Sequence, residues 1–270
     1  METTHEITGI LHCHSNYSYD AKLSLRELRD LFVPKGISFV CMTEHTDELT
    51  PERASAFVHE CDEYSDEKFR FIPGFEVPYK HAHVLMIGCR SFFQNYAPSI
   101  AELRPWVDAS SFVVLAHPVR NDFIVDTDLL ASIDGLEVWN QQYEGKLVPR
   151  VRSLALFTEL HTVKPTLVAT GGVDFHRTEH FGAPQVTLSV ETLSEDAVIE
   201  KLTTGAFTVH SESLRFFGTL PNASELRHTV RFQSHLSVTV IVLGKLVNKI
   251  LASLGLSLPK SLKQRIRRRL

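Results

Sequence analysis

From Ile7 to Thr204 short, β-rich apolar runs alternate with helix-like segments, and most of the runs meet a histidine or a carboxylate at one end. The runs are Ile7–His14, Ile37–His45, Phe69–Val77, His83–Gly88, Phe112–His117, Leu136–Trp139, Thr166–Val173 and Val186–Val190. Between them lie helix-like segments at Ser24–Val33, from Pro51 onward, and at Ser99–Ala109, Leu147–His161 and Ser194–Thr204. In the first of these Leu25, Leu28, Leu31 and Phe32 share one face, and Pro51 suits a first helical turn. A run such as Phe112-Val113-Val114-Leu115-Ala116 fits a strand covered on both faces. Strand–helix alternation at this rhythm predicts a parallel α/β architecture, and a length of 270 residues favours a (β/α) barrel over an open sheet.

The ionisable residues follow the same rhythm. His12 and His14 close the first run, His45 the second and Glu76 the third; His83 opens the next; His117 closes the Phe112 run, and Asp174 and His176 follow Val173. In an α/β barrel the carboxyl ends of the strands line one mouth, so residues far apart in sequence converge there. His12 and His14 are two apart, which on an extended strand turns both side chains the same way, and Asp174 with His176 repeats the spacing. A lone strand histidine is ordinarily a hydrogen-bonded core residue. Eight such positions at strand ends form a ligand set too rich for one metal. Neutral imidazole and carboxylate suit Zn, Mn or Fe, and one carboxylate can bridge two ions about 3.5–4 Å apart. Such a cluster activates a hydroxide near neutral pH and clamps the oxygens of a phosphoryl group.

The motifs that carry these residues resemble those of the PHP family, the polymerase and histidinol phosphatase superfamily of metal-dependent phosphoesterases. They are Leu11-His12-Cys13-His14-Ser15 with Ser18-Tyr19-Asp20, Met42-Thr43-Glu44-His45-Thr46, Pro73-Gly74-Phe75-Glu76, His83-Val84-Leu85, Ala116-His117-Pro118 and Gly171-Gly172-Val173-Asp174-Phe175-His176. The resemblance implies a distorted (β/α)7, TIM-like barrel over residues 1–220 and a trinuclear centre. One ion would take His12, His14, Glu76 and Asp174. Glu76 would bridge to a second held by His83 and His117, and the third would take Asp20, His45 and His176. Asp20 enters through the family motif alone, since its spacing reads as a turn residue or helix cap. His12, His14, Glu76, Asp174 and His176 would form the catalytic core, around a di- or trinuclear site of Zn, Mn or Fe that hydrolyses a phosphate ester with an activated hydroxide.

The chain departs from the family pattern in two places, of which only the second bears on the substrate. Glu44 stands where the family usually has aspartate, beside the metals rather than on them. The branch that degrades RNA and nucleotides from the 5′ end carries a helical insertion between the equivalents of His83 and His117, where this chain has 33 residues. A small phosphorylated substrate is the first expectation. A 5′-nucleotide or oligonucleotide phosphodiesterase is the alternative, and a non-catalytic PHP scaffold module a third. Arg120 and Arg177 follow ligand motifs, and a guanidinium suits phosphate oxygens; each has a local acid, Asp122 or Glu179, as another partner. Asn140, Gln141, Gln142 and Lys146 follow a strand and are candidates for the leaving group. Cys13 reads as packing.

Charge divides the chain. Up to Glu225 it carries 18 Lys and Arg against 32 Asp and Glu; from Leu226 onward it carries 10 Lys and Arg and no acid. That excludes a uniformly basic nucleic-acid binder and sets residues 221–270 apart as a helical, basic extension. Leu243, Leu246, Val247, Ile250, Leu251 and Leu254 follow helical spacing there, ahead of a Lys/Arg cluster. A helix docked on the barrel, an anchor on an anionic membrane surface and a nucleic-acid contact all fit it. Four cysteines without a Cys-x-x-Cys pair, an N-terminus without an apolar core, and a longest uncharged apolar stretch of 13 residues predict a cytoplasmic protein, at most peripheral to the inner face of a membrane.

Overall fold

The computed structural model describes residues 4–92, 111–220 and 226–231. Its fold is mixed α/β, with two six-stranded sheets. The first contains β1 (His5–Cys13), β2 (Phe39–Met42), β4 (Arg70–Ile72), β10 (Gln185–Val190), β11 (Phe207–His210) and β12 (Arg215–Phe217), in the order β12-β11-β10-β1-β2-β4. The second runs β3 (Glu44–His45), β5 (Gly74–Tyr79), β6 (Ala82–Ile87), β7 (Phe112–Ala116), β8 (Gly135–Asn140), β9 (Val168–Gly172). Only Thr43 separates β2 from β3, and only Pro73 separates β4 from β5, so two chain segments pass from one sheet into the other. At the far side Val173 N donates to Leu11 O (3.0 Å), Phe175 N to His12 O (3.1 Å) and His14 N to Phe175 O (2.9 Å), which ties the end of β9 to β1.

The expected all-parallel arrangement is corrected. β1–β2, β2–β4, β3–β5, β7–β8 and β8–β9 are parallel, but β6 runs antiparallel to both β5 and β7. The reason is the connection. Only Lys80 and His81 lie between β5 and β6, whereas a parallel crossover needs about a dozen residues or more. β10 is antiparallel to β1 and carries β11 and β12, two strands that the apolar rhythm does not mark.

The helices start where capping chemistry places them. α1 (Leu25–Phe32) begins with a capping box: the Ser24 hydroxyl accepts from Glu27 N, and Glu27 reaches back to Ser24 N at 2.9 Å. Its Leu25, Leu28 and Phe32 are buried. α2 (Pro51–Glu63) is capped by Thr50 with Pro51 in the first turn. α3 (Thr127–Ser132) is capped by Asp126, the short α4 (Gln141–Glu144) by Asn140, and α6 (Glu195–Thr204) by Ser194. α5 (Val151–Val163) starts four residues after Leu147, because Pro149 and the extended Arg150 delay it. α6 ends at Gly205, whose φ of 72° is open to glycine at little cost. The core between sheets and helices is aromatic, with Phe39, Phe75, Phe112, Trp139 and Phe157 all buried.

The helix expected at Ser99–Ala109 and the amphipathic stretch and basic cluster of residues 232–270 lie outside the described residues. Residues 226–231 are helical, with Val230 buried. Among the described residues no helix is long and apolar enough to cross a membrane.

Candidate metal centre

Glu76 is the hub of the site. It sits within β5, 1 % exposed, and its two carboxylate oxygens serve different neighbours. Oε2 lies 3.1 Å from His12 Nε2, 3.2 Å from His14 Nε2 and 3.5 Å from His45 Nδ1. Oε1 lies 3.0 Å from His117 Nε2 and contacts His83 Nδ1. Asp174 Oδ1 faces His12 Nε2 (3.4 Å), His14 Nε2 (3.6 Å) and His176 Nδ1 (3.5 Å). Asp20 Oδ2 closes the third group, 3.1 Å from His176 Nε2 and 3.6 Å from His45 Nε2. All nine residues expected from the sequence and the family motif therefore come together.

The antiparallel β6 accounts for His83. Its register places His83 opposite both Pro78 on β5 and Ala116 on β7, so the start of this strand lies beside the ends of its neighbours. The same-face argument for His12 and His14 is corrected in its cause. His14 lies beyond β1, the register shifts between Ile10 and Cys13, and His12 has a φ of 61°. His117 (φ 25°) and Asp174 (φ 54°) also adopt positive φ, where a side chain with a Cβ is strained by about 1–3 kcal/mol. Three of the converging residues thus sit in strained backbone; strand alternation does not aim them.

Burial and charge oppose one another in this cluster. Burial works against charge on His12, yet the Asp174, Glu137 and Glu76 carboxylates outweigh it and hold its pKa well above the ordinary value. The same contest, with Asp174 and Glu76, carries His14 to about 9. Burial pushes the Glu76 and Asp174 carboxyls up, and the imidazoles, His12 foremost, bring both below the usual range. Asp20 is likewise held low, burial being outweighed by His176 and His45.

The donor set fits divalent cations. His14 Nε2 and His45 Nδ1 are buried and make no hydrogen bond, although each points at carboxylate oxygen. An unbonded nitrogen aimed at two buried carboxylates is costly unless a cation lies between them. Four trios have ligand atoms within 4.8 Å of one another: His12–His14–Asp174, His12–Glu76–His117, His45–Glu76–His83 and His14–His45–His176. They share His12, His14, His45 and Glu76, so the donor atoms form one connected cluster able to hold metal.

A second layer holds these side chains in place. Glu44 is buried and accepts from Ser15 N (2.9 Å), Ser15 Oγ (2.7 Å) and Ser18 Oγ (2.5 Å). Glu137 contacts His12 Nδ1 at 3.0 Å and accepts from His117 N (2.7 Å) and Asn140 Nδ2 (2.9 Å). Sequence reading passes over Glu137; its signal is a lone carboxylate between Leu136 and Val138 in the fully buried β8. Asn140, Gln141, Gln142 and Lys146 prove to be ties. Gln141 donates to His180 O, Gln142 to Val173 O and Lys146 to Glu179 O. Cys13 is buried, in keeping with packing.

The two arginines part company. Arg120 is exposed, and its Nη1 lies 3.2 Å from His83 Nδ1, at the edge of the cluster. Arg177 is exposed beside His180, and no hydrogen bond or ion pair joins it to the nine among the described residues. Two tyrosine rings reach the same edge: Tyr19, 57 % exposed, stacks on His45 at 5.1 Å between centroids, and Tyr143 packs on His117 at 4.9 Å.

A family model described as the PHP domain matches residues 11–148, just over half of the chain. No curated protein matches the sequence. Among solved structures, an amidohydrolase from Chromobacterium violaceum, with bound sulfate and no metal, is 16% identical over 62% of this chain and 87% of its own, with a TM-score of 0.41. An endonuclease Q, bound to a 27-mer duplex substrate with an abasic lesion at the active site, is 17% identical over 74% of this chain and 57% of its own, with a TM-score of 0.51. The second likeness is one of fold, and it covers little more than half of the endonuclease chain.

Proposed function

The chain belongs to the PHP domain family, and on that footing we propose that it is a hydrolase of phosphate esters working at a di- or trinuclear centre of divalent Zn, Mn or Fe. The observation that carries the reading is the division of Glu76, one oxygen toward His12 and His14 and the other toward His83 and His117. A carboxylate so divided suits a bridge between two ions. His12, His14, Glu76 and Asp174 would hold one ion, Glu76, His83 and His117 a second, and Asp20, His45 and His176 a third. When bound, the ions supply Lewis acidity, making a water acidic and neutralising charge on phosphoryl oxygens.

The remaining work falls to the chain itself. Asp174 and Glu76, held ionised by their imidazole neighbours, keep the centre anionic enough to retain cations. Arg120, at the rim beside His83, is placed to take a phosphate oxygen with its guanidinium fork. Arg177 is a weaker candidate for the same task, since it lies beside His180 and, among the described residues, no hydrogen bond or ion pair joins it to the nine. The strand path β1, β2–β3, β4–β5, β6, β7, β8, β9 and back to β1 supports a distorted seven-stave barrel of the PHP type. In this reading residues 1–220 form the catalytic unit of a cytoplasmic enzyme, and residues 221–270 a basic extension for an anionic surface.

A nucleotide or oligonucleotide ester is the second reading, favoured by the exposed Tyr19 and by Tyr143, whose rings offer aromatic faces at the rim. Metal analysis of the purified protein, paired with a substrate panel, tests both. The panel comprises a generic monoester, a generic diester, histidinol phosphate, a 3′,5′-bisphosphonucleotide and short RNA. Hydrolysis that disappears in His12→Ala and Asp174→Asn supports an enzyme. A metal-replete protein that hydrolyses none of them would leave a scaffold role in its place.

A further inference from the structure

Glu137 lies outside every motif that marks the site, yet its carboxylate is among the most completely engaged in the molecule. It is 1 % exposed on β8. Oε2 accepts two hydrogen bonds, from the His117 backbone N–H at 2.7 Å and from Asn140 Nδ2 at 2.9 Å. The identity of that Asn140 atom is fixed from its other end, because Oδ1 accepts the backbone N–H groups of Gln142 and Tyr143. With Oε2 occupied by donors, Oε1 is left for His12 Nδ1, 3.0 Å away.

A carboxylate only accepts, so His12 Nδ1 must carry the proton. In the neutral ring the lone pair then belongs to Nε2. That nitrogen faces Glu76 Oε2 at 3.1 Å and Asp174 Oδ1 at 3.4 Å, the side on which a cation would be held. Space for the arrangement is reserved by Gly172. A Cβ at this position would stand 1.8 Å from Glu137 Oε1 and 2.8 Å from the His12 Cβ.

We propose that Glu137 is a positioning residue that fixes the tautomer and orientation of His12, turning an unprotonated Nε2 toward the metal centre, and that Gly172 is glycine to leave room for its carboxylate. The inference rests on the reading of His12 as a metal ligand. Ligating histidines generally donate their other ring N–H to such a carboxylate, and loss of that partner typically costs about 10–100-fold in metal affinity.

Glu137→Gln isolates the effect, since shape is nearly kept while the pattern of donors and acceptors changes. The carboxamide has one oxygen, and the two donors at His117 and Asn140 claim it. Its NH2 then meets His12 Nδ1, which must accept, and the proton moves to Nε2 on the metal side.

The test uses the full chain, stripped of metal. Long-range 1H–15N spectra of the His12 ring are recorded at a pH high enough for its nitrogens to stop shifting, and Co2+ affinity is measured by titration. The wild type is expected to show the Nδ1–H tautomer. Glu137→Gln is expected to show Nε2–H and a Kd for Co2+ raised about 10–100-fold. Gly172→Ala, which displaces the carboxylate, should weaken Co2+ binding in the same direction and supplies the test if Glu137→Gln does not fold. An Nε2–H tautomer in the wild type overturns the proposal, as does a folded Glu137→Gln with unchanged tautomer and affinity. A wild type with Nδ1–H that binds no Co2+ contradicts instead the reading of His12 as a ligand, and the positioning role falls with it.

Discussion

Glu44 reaches His14 through a single atom, the Ser18 hydroxyl oxygen. Ser18 Oγ donates to Glu44 Oε2 at 2.5 Å, accepts the His45 backbone N–H at 3.0 Å and lies 3.2 Å from His14 Nδ1. A hydroxyl has one proton to give, and Glu44 takes it, so His14 Nδ1 must be the donor. In the neutral His14 ring the unprotonated nitrogen is then Nε2, which faces Glu76 and Asp174.

Ser18→Ala removes that relay. His14 loses the acceptor that selects its tautomer, and Glu44 Oε2 loses a donor. Divalent-metal affinity is expected to fall roughly tenfold or more. The fold should weaken by about 1–3 kcal/mol, the usual cost of a buried polar group left without its partner. Calorimetric titration and thermal melting check the two together.

Asp20 differs from the other acids of the cluster in its exposure, 37 % against 1 % for Glu76. An ion held by Asp20, His45 and His176 should leave first under chelation. Asp20→Asn is expected to lower the metal content by one ion per chain, with stability changed by no more than about 0.5 kcal/mol, as for most surface substitutions. Mass spectrometry of dialysed protein beside a thermal melt measures both.

The metal-free protein should have a distinctive pH profile. His14, ordinarily near 6.5, is raised to about 9, and His12 is raised as well. A raised histidine binds its proton more tightly in the fold than in the unfolded chain. Its stabilisation is therefore complete below about 6.5 and is lost as pH rises through 9. Glu76 and Asp174 work in the other direction, contributing above their ordinary values and losing that contribution on acidification. The melting temperature of stripped protein is expected to fall between pH 6.5 and 9. With metal bound the fall should vanish or reverse, because the ions replace these protons and bind better as pH rises.

Arg120 touches the rim of the cluster and no carboxylate of its floor. Arg120→Ala is expected to raise KM for a phosphate ester roughly tenfold, one charge-assisted hydrogen bond being worth about 1.5–3 kcal/mol. Metal content should not change, and Arg120→Lys should recover part of the loss. Steady-state kinetics on metal-replete protein separate KM from kcat.

The sequence discloses the site better than the sheet that bears it. Histidines at strand ends stand out because a buried imidazole needs a partner, and the six runs that carry the site residues converge wherever their directions are fixed. Strand direction is what apolar content does not encode. The reversal at β6 was legible only in the two-residue link of Lys80 and His81. Asp20 reads as a turn because it lies in a loop, and only the family motif raises it. Glu137 was hidden by its neighbours, since Leu136, Val138 and Trp139 make the segment look like any buried strand. A carboxylate there has to be satisfied by something, and in this fold three donors satisfy it.

The central claim, hydrolysis of phosphate esters at a multinuclear centre built on Glu76, is met most directly by titrating stripped protein with Mn2+ or Zn2+ while following a phosphate ester. Hydrolysis should be absent without metal, rise with the ions bound and level off at two or three per chain. In Glu76→Gln both the uptake and the rate should collapse. Hydrolysis by stripped protein at the rate of the loaded one, or metal uptake by Glu76→Gln equal to that of the wild type, would contradict it.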